Sequence, residues 1–295
     1  MFDANKQYRL LVLAFVAGLS ACSGDSAQVA DPVAHFEYPP SLPASCPSGP
    51  LKGSEAKVVD GKLSYRVRTP LNYDARYAHP LLVVYPASGA SAGQTERYTQ
   101  LTSAATSRGF VVAYVDHRPM SKANVIVQGG VAQSVAERWC VDRQRVFLTG
   151  HSDGGTVSTA VALLEPTRAG VSGIAPSAAG FSKEDLVQMQ CRPPIPVMVM
   201  HGAKDTLFPG WGRQTAAWWA QCNGCGTVTS APDAAGCVSY SGCPSAAPVM
   251  YCEGPQSHME WPGLQPRMLE FLLKPQAGAR PPGAGSSVHR RLAVP

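Results

Sequence analysis

Pro80-Leu81-Leu82-Val83-Val84-Tyr85 is a continuous apolar run, the pattern of a strand buried on both faces. Phe110–Val115 and Arg145–Thr149 read as strands of the same kind, Gly170–Ala175 and Ile195–Met200 are further apolar runs, and Pro248–Cys252 is a shorter strand. Lys62–Thr69 instead alternates, as an antiparallel strand does, and Pro70-Leu71-Asn72-Tyr73-Asp74 closes it with turn residues. Between these runs, helices are predicted at Gln94–Arg108, Val127–Trp139, Thr156–Leu164, Gly210–Gln221 and Gln265–Leu273. Strands alternating with helices predict an α/β domain with a mainly parallel central sheet covered by helices on both faces. No repeat or interior linker divides it, so a single domain is expected over 56–274.

The ends depart from this pattern. Lys6 and Arg9 precede a short apolar run, Leu10–Ala17, as in an export signal over 1–21. Leu19-Ser20-Ala21-Cys22 resembles the lipobox of bacterial lipoproteins, which implies cleavage before Cys22, lipidation of that cysteine and a lipid anchor in the cell envelope. Ser23 in place of Asp favours the outer membrane by the same resemblance; an ordinary signal peptide and a secreted protein is the alternative. Residues 22–55 read as an N-terminal linker. Residues 275–295 are rich in Pro, Gly and Ala without apolar period and read as a disordered tail. Apolar content of 45% against 15% charged residues fits a compact core. The net charge of +5 is mild and scattered, so no nucleic-acid partner is predicted.

Apart from Cys22, eight cysteines remain: Cys46, Cys140, Cys191, Cys222, Cys225, Cys237, Cys243 and Cys252. An even number in an exported chain predicts disulfides, whose pairing spacing alone does not reveal. Cys222-Asn223-Gly224-Cys225 also invites a redox or zinc reading, but it ends a Trp-rich helix, and no second short-spaced pair completes a zinc site. No metal site is predicted.

Gly150-His151-Ser152-Asp153-Gly154 follows the strand Arg145–Thr149 directly and precedes a helix. That is the context of a nucleophile elbow, a sharp turn that raises a serine hydroxyl above the sheet. Gly89-Ala90-Ser91-Ala92-Gly93 matches the same pattern, but Ser91 lies beyond Pro86 and a small-residue loop, so Ser152 is the candidate nucleophile and Ser91 a loop residue. Asp205, a few residues past Ile195–Met200, sits where a carboxylate reaches the carboxyl edge of the sheet and can orient a histidine. His258, between the strand Pro248–Cys252 and the last helix, is the candidate base. Ser152, Asp205 and His258 follow the chain order of Ser, acid and His in this type of elbow enzyme. His151 is expected to line the pocket or pack, His201 to be structural, and Asp153 to cap the helix after Ser152. One oxyanion donor is expected from the Asp153 N–H and the other from Ala87 or, second, Ser88, because Pro86 has no N–H.

With those residues placed, the chain resembles the extracellular esterases grouped with poly(3-hydroxybutyrate) depolymerases and type-B feruloyl esterases. The resemblance rests on Arg68–Asp74, on Cys140–Phe147 before the elbow, on His201-Gly202 to Asp205, on Tyr240–Cys243, and on His258 followed by Trp261-Pro262-Gly263. It implies an α/β-hydrolase fold and hydrolysis of carboxylic esters through an acyl-enzyme, with an ester as substrate and no metal or organic cofactor. The family usually carries His-Gly where this chain has Tyr85-Pro86, and glycines where it has Gln256-Ser257. A serine peptidase of the same fold and a non-catalytic surface lipoprotein are the competing readings. Trp211, Trp218 and Trp219 lie just after Asp205; Trp211 is a candidate substrate platform, whereas Trp218 and Trp219 are expected to pack on a helix face. Oligomeric state leaves no trace in the sequence.

Overall fold

The computed structural model describes Cys46 and residues 53–274. The expected signal over 1–21, Cys22, most of the linker and the tail 275–295 lie outside the described residues. The chain enters as a hairpin of β1 (Glu55–Asp60) and β2 (Leu63–Arg68). It continues through β3 (His79–Tyr85), α1 (Ala92–Thr99), α2 (Leu101–Thr106), β4 (Val111–Val115), α3 (Lys122–Gly129) and α4 (Val131–Ala136). Then come β5 (Val141–His151), α5 (Asp153–Leu163), α6 (Glu165–Arg168), β6 (Gly173–Ser177), α7 (Lys183–Leu186), β7 (Val197–Lys204) and α8 (Trp211–Cys222). The strands β8 (Cys237–Ser239) and β9 (Val249–Ser257) and the helix α9 (Gln265–Leu273) close the domain.

The nine strands of the described residues form one sheet in the order β1-β2-β4-β3-β5-β6-β7-β9-β8. The six strands from β4 to β9 in that order pair in parallel, and only the two edges are antiparallel. Because parallel strands carry helices on both faces, successive residues of β3 enter different cores. Leu81, Val83 and Tyr85 join Trp139, Leu148, Val161 and Trp219 on one face. Leu82 and Val84 join Leu101, Tyr114, Met200 and Met268 on the other. Every residue of β3 is buried as a result, which is why its sequence shows no alternation.

Two expected helices are each split. The stretch after β3 breaks at Gln100, which is left-handed (φ 51°, ψ 31°). The Gln265 side chain of α9 donates to the Thr99 carbonyl at 2.8 Å, replacing a partner that a continuous helix would supply. The stretch before β5 starts earlier than expected, capped by Ser121, and breaks at Gly130. The contact from Gln265, 166 residues away, could not be read locally.

The order of the strands positions the site. From β3 the chain goes to β4 on one side and then returns to β5 on the other, so the loops leaving β3 and β5 diverge. A crevice opens at the carboxyl ends of these strands, where ligands bind in open parallel sheets.

The eight cysteines pair as Cys46–Cys140, Cys191–Cys222, Cys225–Cys243 and Cys237–Cys252. Cys222 and Cys225 thus take separate partners. Cys237 and Cys252 face each other across the β8–β9 ladder.

Candidate active site

The crevice is built from three strand ends. β5 runs to His151, and Ser152 follows at φ 56°, ψ −118°, a conformation side chains rarely adopt. It is held there by its own N–H, which donates to the Ser177 carbonyl at 3.0 Å, and by its carbonyl, which accepts from Thr156 N at 3.0 Å. The turn needs glycine because β3 passes close behind it. A Cβ on Gly154 would lie 2.2 Å from the Tyr85 carbonyl oxygen, and one on Gly150 would lie 2.6 Å from the same atom. Ser91, the other serine in this pattern, caps α1: its side chain accepts from Gln94 N and the Gln94 side chain returns the bond.

Asp205 follows the end of β7, and its side chain is wholly buried. Oδ1 accepts the N–H groups of Leu207 (2.9 Å) and Phe208 (2.8 Å). Oδ2 accepts from His258 Nδ1 at 2.8 Å. Burial pushes the carboxyl pKa up, but the Phe208 amide and the His258 ring outweigh it and hold the carboxyl below its ordinary value. His201 supports this turn, donating from Nε2 to the Phe208 carbonyl at 2.9 Å, and burial lowers the pKa of its ring.

His258 follows β9 and completes a chain of hydrogen bonds. A carboxylate only accepts, so Nδ1 carries the proton and Nε2 presents its lone pair to Ser152 Oγ, 2.9 Å away. That tautomer can take the serine proton, and a buried carboxylate beside a ring favours its charged form. The loop is braced by Glu260, whose carboxylate accepts from Ser257 N (2.9 Å) and Ser257 Oγ (2.7 Å).

A cavity of about 410 Å³ opens onto Ser152 and His258. Ala87 and Ser88, the two candidate second oxyanion donors, line it, as does His151. The Asp153 N–H belongs to the first turn of α5, where helix amides have no partner within the helix. The Asp153 side chain does not cap the helix as expected: Ser152 holds the N-cap position, and the Asp153 carboxylate accepts from His117 Nε2 at 3.3 Å. Trp211 does not line the cavity. It stacks on Phe208 at 4.7 Å, and Phe208 in turn meets His258 edge-on at 4.9 Å. Trp219 is buried in the core and meets Trp218 edge-on.

Sequence reasoning missed Tyr98, Leu207 and Met259 as cavity walls. Tyr98 is the sole aromatic in the polar stretch Gln94–Arg108, a faint signal, and Leu207 and Met259 are neighbours of Asp205 and His258 along the chain. Among the described residues, no group of three or more His, Cys, Asp or Glu side chains is arranged to hold a metal ion.

No family model matches the chain. It is 26% identical over 220 residues to feruloyl esterase B of Piromyces equi, an alignment covering 63% of this chain and 40% of that protein. It is 28% identical over 231 residues to the provisionally named esterase NocK of Nocardia uniformis subsp. tsuyamanensis, covering 70% of this chain and 66% of that one. The chain thus spans less than two thirds of the length of either relative. Its structure matches acetyl xylan esterase from Aspergillus awamori with a TM-score of 0.54 and 16% identity, over 76% of this chain and 99% of that one. The chain has the α/β-hydrolase fold. Within an α/β-hydrolase, a serine at the turn after β5, a carboxylate after β7 and a histidine after β9 all emerge on the same edge of the sheet. The sequence expectation of fold class is met.

Proposed function

We propose that the chain hydrolyses carboxylic esters, with 56–274 as its catalytic domain, Ser152 as nucleophile, His258 as base and Asp205 as the acid that orients it. One observation carries this reading: the unbroken chain Asp205 Oδ2–His258–Ser152 Oγ, with bonds of 2.8 Å and 2.9 Å, ending on a serine at a strained turn beside a cavity. His258 takes the Ser152 proton as Oγ bonds to the ester carbonyl carbon. The oxyanion meets the Asp153 N–H and a donor from the Ala87–Ser88 loop, and the alcohol leaves with the proton from His258. Water, deprotonated by His258, then attacks the acyl carbon; the bond to Ser152 Oγ breaks, His258 returns the proton to Oγ, and the acid leaves.

The esterase names of both sequence relatives favour an ester over a peptide bond. The cavity walls Tyr98, Leu207 and Met259 fit an apolar or aromatic acyl group. Export, with lipidation at Cys22, agrees with four disulfides, which persist in oxidising compartments.

The test is hydrolysis of p-nitrophenyl esters of increasing chain length and of a methyl hydroxycinnamate by wild type, Ser152→Ala and Ser91→Ala. Ser152→Ala should lose on the order of 10⁶-fold in kcat, while Ser91→Ala, a change at a helix cap, should stay near wild type. An inactive wild type would favour a non-catalytic surface lipoprotein. An active Ser152→Ala would overturn the assignment of the nucleophile. A wild type found wholly in the soluble fraction would remove the lipid anchor.

A further inference from the structure

His151 makes two hydrogen bonds that the proposed reaction does not use. Its ring is buried, 4% exposed, and packs against Tyr98 at 5.4 Å, His258 at 5.5 Å and Trp261 at 6.1 Å. Nε2 lies 2.7 Å from the backbone oxygen of His258, and Nδ1 lies 3.0 Å from Ser177 Oγ. A carbonyl only accepts, so Nε2 carries a proton. Burial lowers the pKa of the ring to about 4, so at neutral pH Nδ1 is unprotonated and accepts from the Ser177 hydroxyl.

These bonds matter because of where the sheet stops. The parallel pairing of β7 with β9 ends at Lys204 and Ser257, one residue before His258. Beyond that point no ladder holds the main chain that carries the imidazole. The side-chain bonds of His258 do not replace it: the bond to Ser152 Oγ breaks in every turnover, and the bond to Asp205 leaves the ring free to tilt with its backbone. Ser177, at the end of β6, meanwhile touches both halves of the site. Its carbonyl accepts the Ser152 N–H at 3.0 Å, and its hydroxyl meets the ring that holds His258.

We infer that His151 is a positioning residue for the base, tying the main chain of His258 to the same strand-end residue, Ser177, that fixes the nucleophile. Serine and imidazole are thereby referred to one rigid point, and their separation does not depend on the loop between β9 and α9. The neutral ring adds a second effect. His258 becomes cationic as Ser152 attacks, and an uncharged neighbour does not oppose that charge. This inference rests on the proposed role of His258.

The experiment compares His151→Gln with His151→Asn. The amide nitrogen of Gln reaches the position of Nε2 and can still donate to the His258 carbonyl; that of Asn reaches only the position of Nδ1 and cannot. His151→Asn should lower kcat about 30-fold with KM within about twofold of wild type, in line with the large cost of a small misplacement of a catalytic group. His151→Gln should stay within about threefold of wild type at a similar melting temperature. Equal kcat for the two variants, or a loss confined to KM, would overturn the inference. If His151→Asn does not fold, Ser177→Ala serves instead, because it removes the hydroxyl and leaves the ring. A fall of several-fold in its kcat at unchanged KM supports the tie, and an unchanged kcat overturns it. Ser152→Ala separates the two levels: if it is inactive while Gln and Asn behave alike, only the positioning role fails.

Discussion

The proposed nucleophile and the proposed acid–base pair are held by different means. Ser152 is fixed by main chain: a strand on one side, a helix on the other, and glycines that let β3 lie against the turn. Asp205 and His258 stand on loops past the ends of β7 and β9, where the Asp205 carboxylate accepts from the Leu207 and Phe208 amides, the His151 ring donates to the His258 carbonyl, the Glu260 carboxylate accepts from Ser257, and disulfides lie nearby. A turn built of backbone is insensitive to pH and redox state. A pair of loops tied by imidazoles and sulfur is sensitive to both. The two halves should therefore fail under different conditions.

Beyond loss of the serine hydroxyl itself, the largest expected effect lies on the loop side. Asp205→Asn keeps an oxygen for the Leu207 and Phe208 amides but turns an N–H₂ toward His258 Nδ1, favouring the wrong tautomer. We expect kcat to fall about 10⁴-fold with melting temperature near wild type, measured by initial rates and calorimetry on one preparation. A rate within tenfold of wild type would remove Asp205 from its role.

The elbow should break in the opposite way. Gly154→Ala places a methyl group against the Tyr85 carbonyl, a backbone atom that cannot give way without moving β3. Activity and melting temperature should fall together, activity by on the order of 100-fold. An active variant of unchanged stability would show that the turn tolerates a side chain and that the contrast is overstated.

Disulfides should distinguish the halves directly. Cys237–Cys252 clamps the short edge strand β8 to β9, the strand that leads to His258. Replacing both cysteines by serine should reduce stability by roughly 2–4 kcal/mol and lower kcat. The same change at Cys46–Cys140, before β5, should lower stability with less effect on kcat. Equal effects on kcat, read after mass spectrometry confirms the remaining pairs, would contradict the division.

Acid is the mildest probe. Burial lowers the pKa values of His79, His151 and His201, and that of His151 falls from 6.5 to about 4. Between those values the unfolded chain binds a proton at His151 that the folded chain refuses, so stability is complete above about pH 6.5 and declines as pH falls toward 4. For His151 alone the loss amounts to roughly 3 kcal/mol over that window. Melting temperatures from pH 7 to 4 should fall in wild type and fall less in His151→Gln; parallel curves would show that the ring is not buried neutral.

Much of this arrangement was legible beforehand, and the reason differs by element. The sheet strands were readable because full burial on both faces leaves an uninterrupted apolar signature, as in Pro80–Tyr85. The elbow was readable because strand, serine and glycines lie within one short segment. The break in the first split helix was not, since Gln100 takes a left-handed conformation and the Thr99 carbonyl it leaves free is met by a glutamine from the distant α9. The wall residues Leu207 and Met259 were not, since an apolar side chain beside a reactive one carries no local mark of the space it borders. For Trp211 the sequence offered only an aromatic side chain just after Asp205; in the fold it stacks on Phe208, which takes the position next to His258.

The sequence by itself determined what depends on neighbours along the chain: the alternation of strands and helices, the turn that presents Ser152, and the order in which a serine, a carboxylate and a histidine leave the sheet. Only the tertiary structure decided what depends on residues distant in the chain. It chose which cysteines pair, set Asp205, His258 and Ser152 within hydrogen-bond reach, and gave His151 its two partners. Those contacts span 26 residues to Ser177 and 107 to His258, and no local pattern can encode a bond whose donor and acceptor meet only after the sheet has formed.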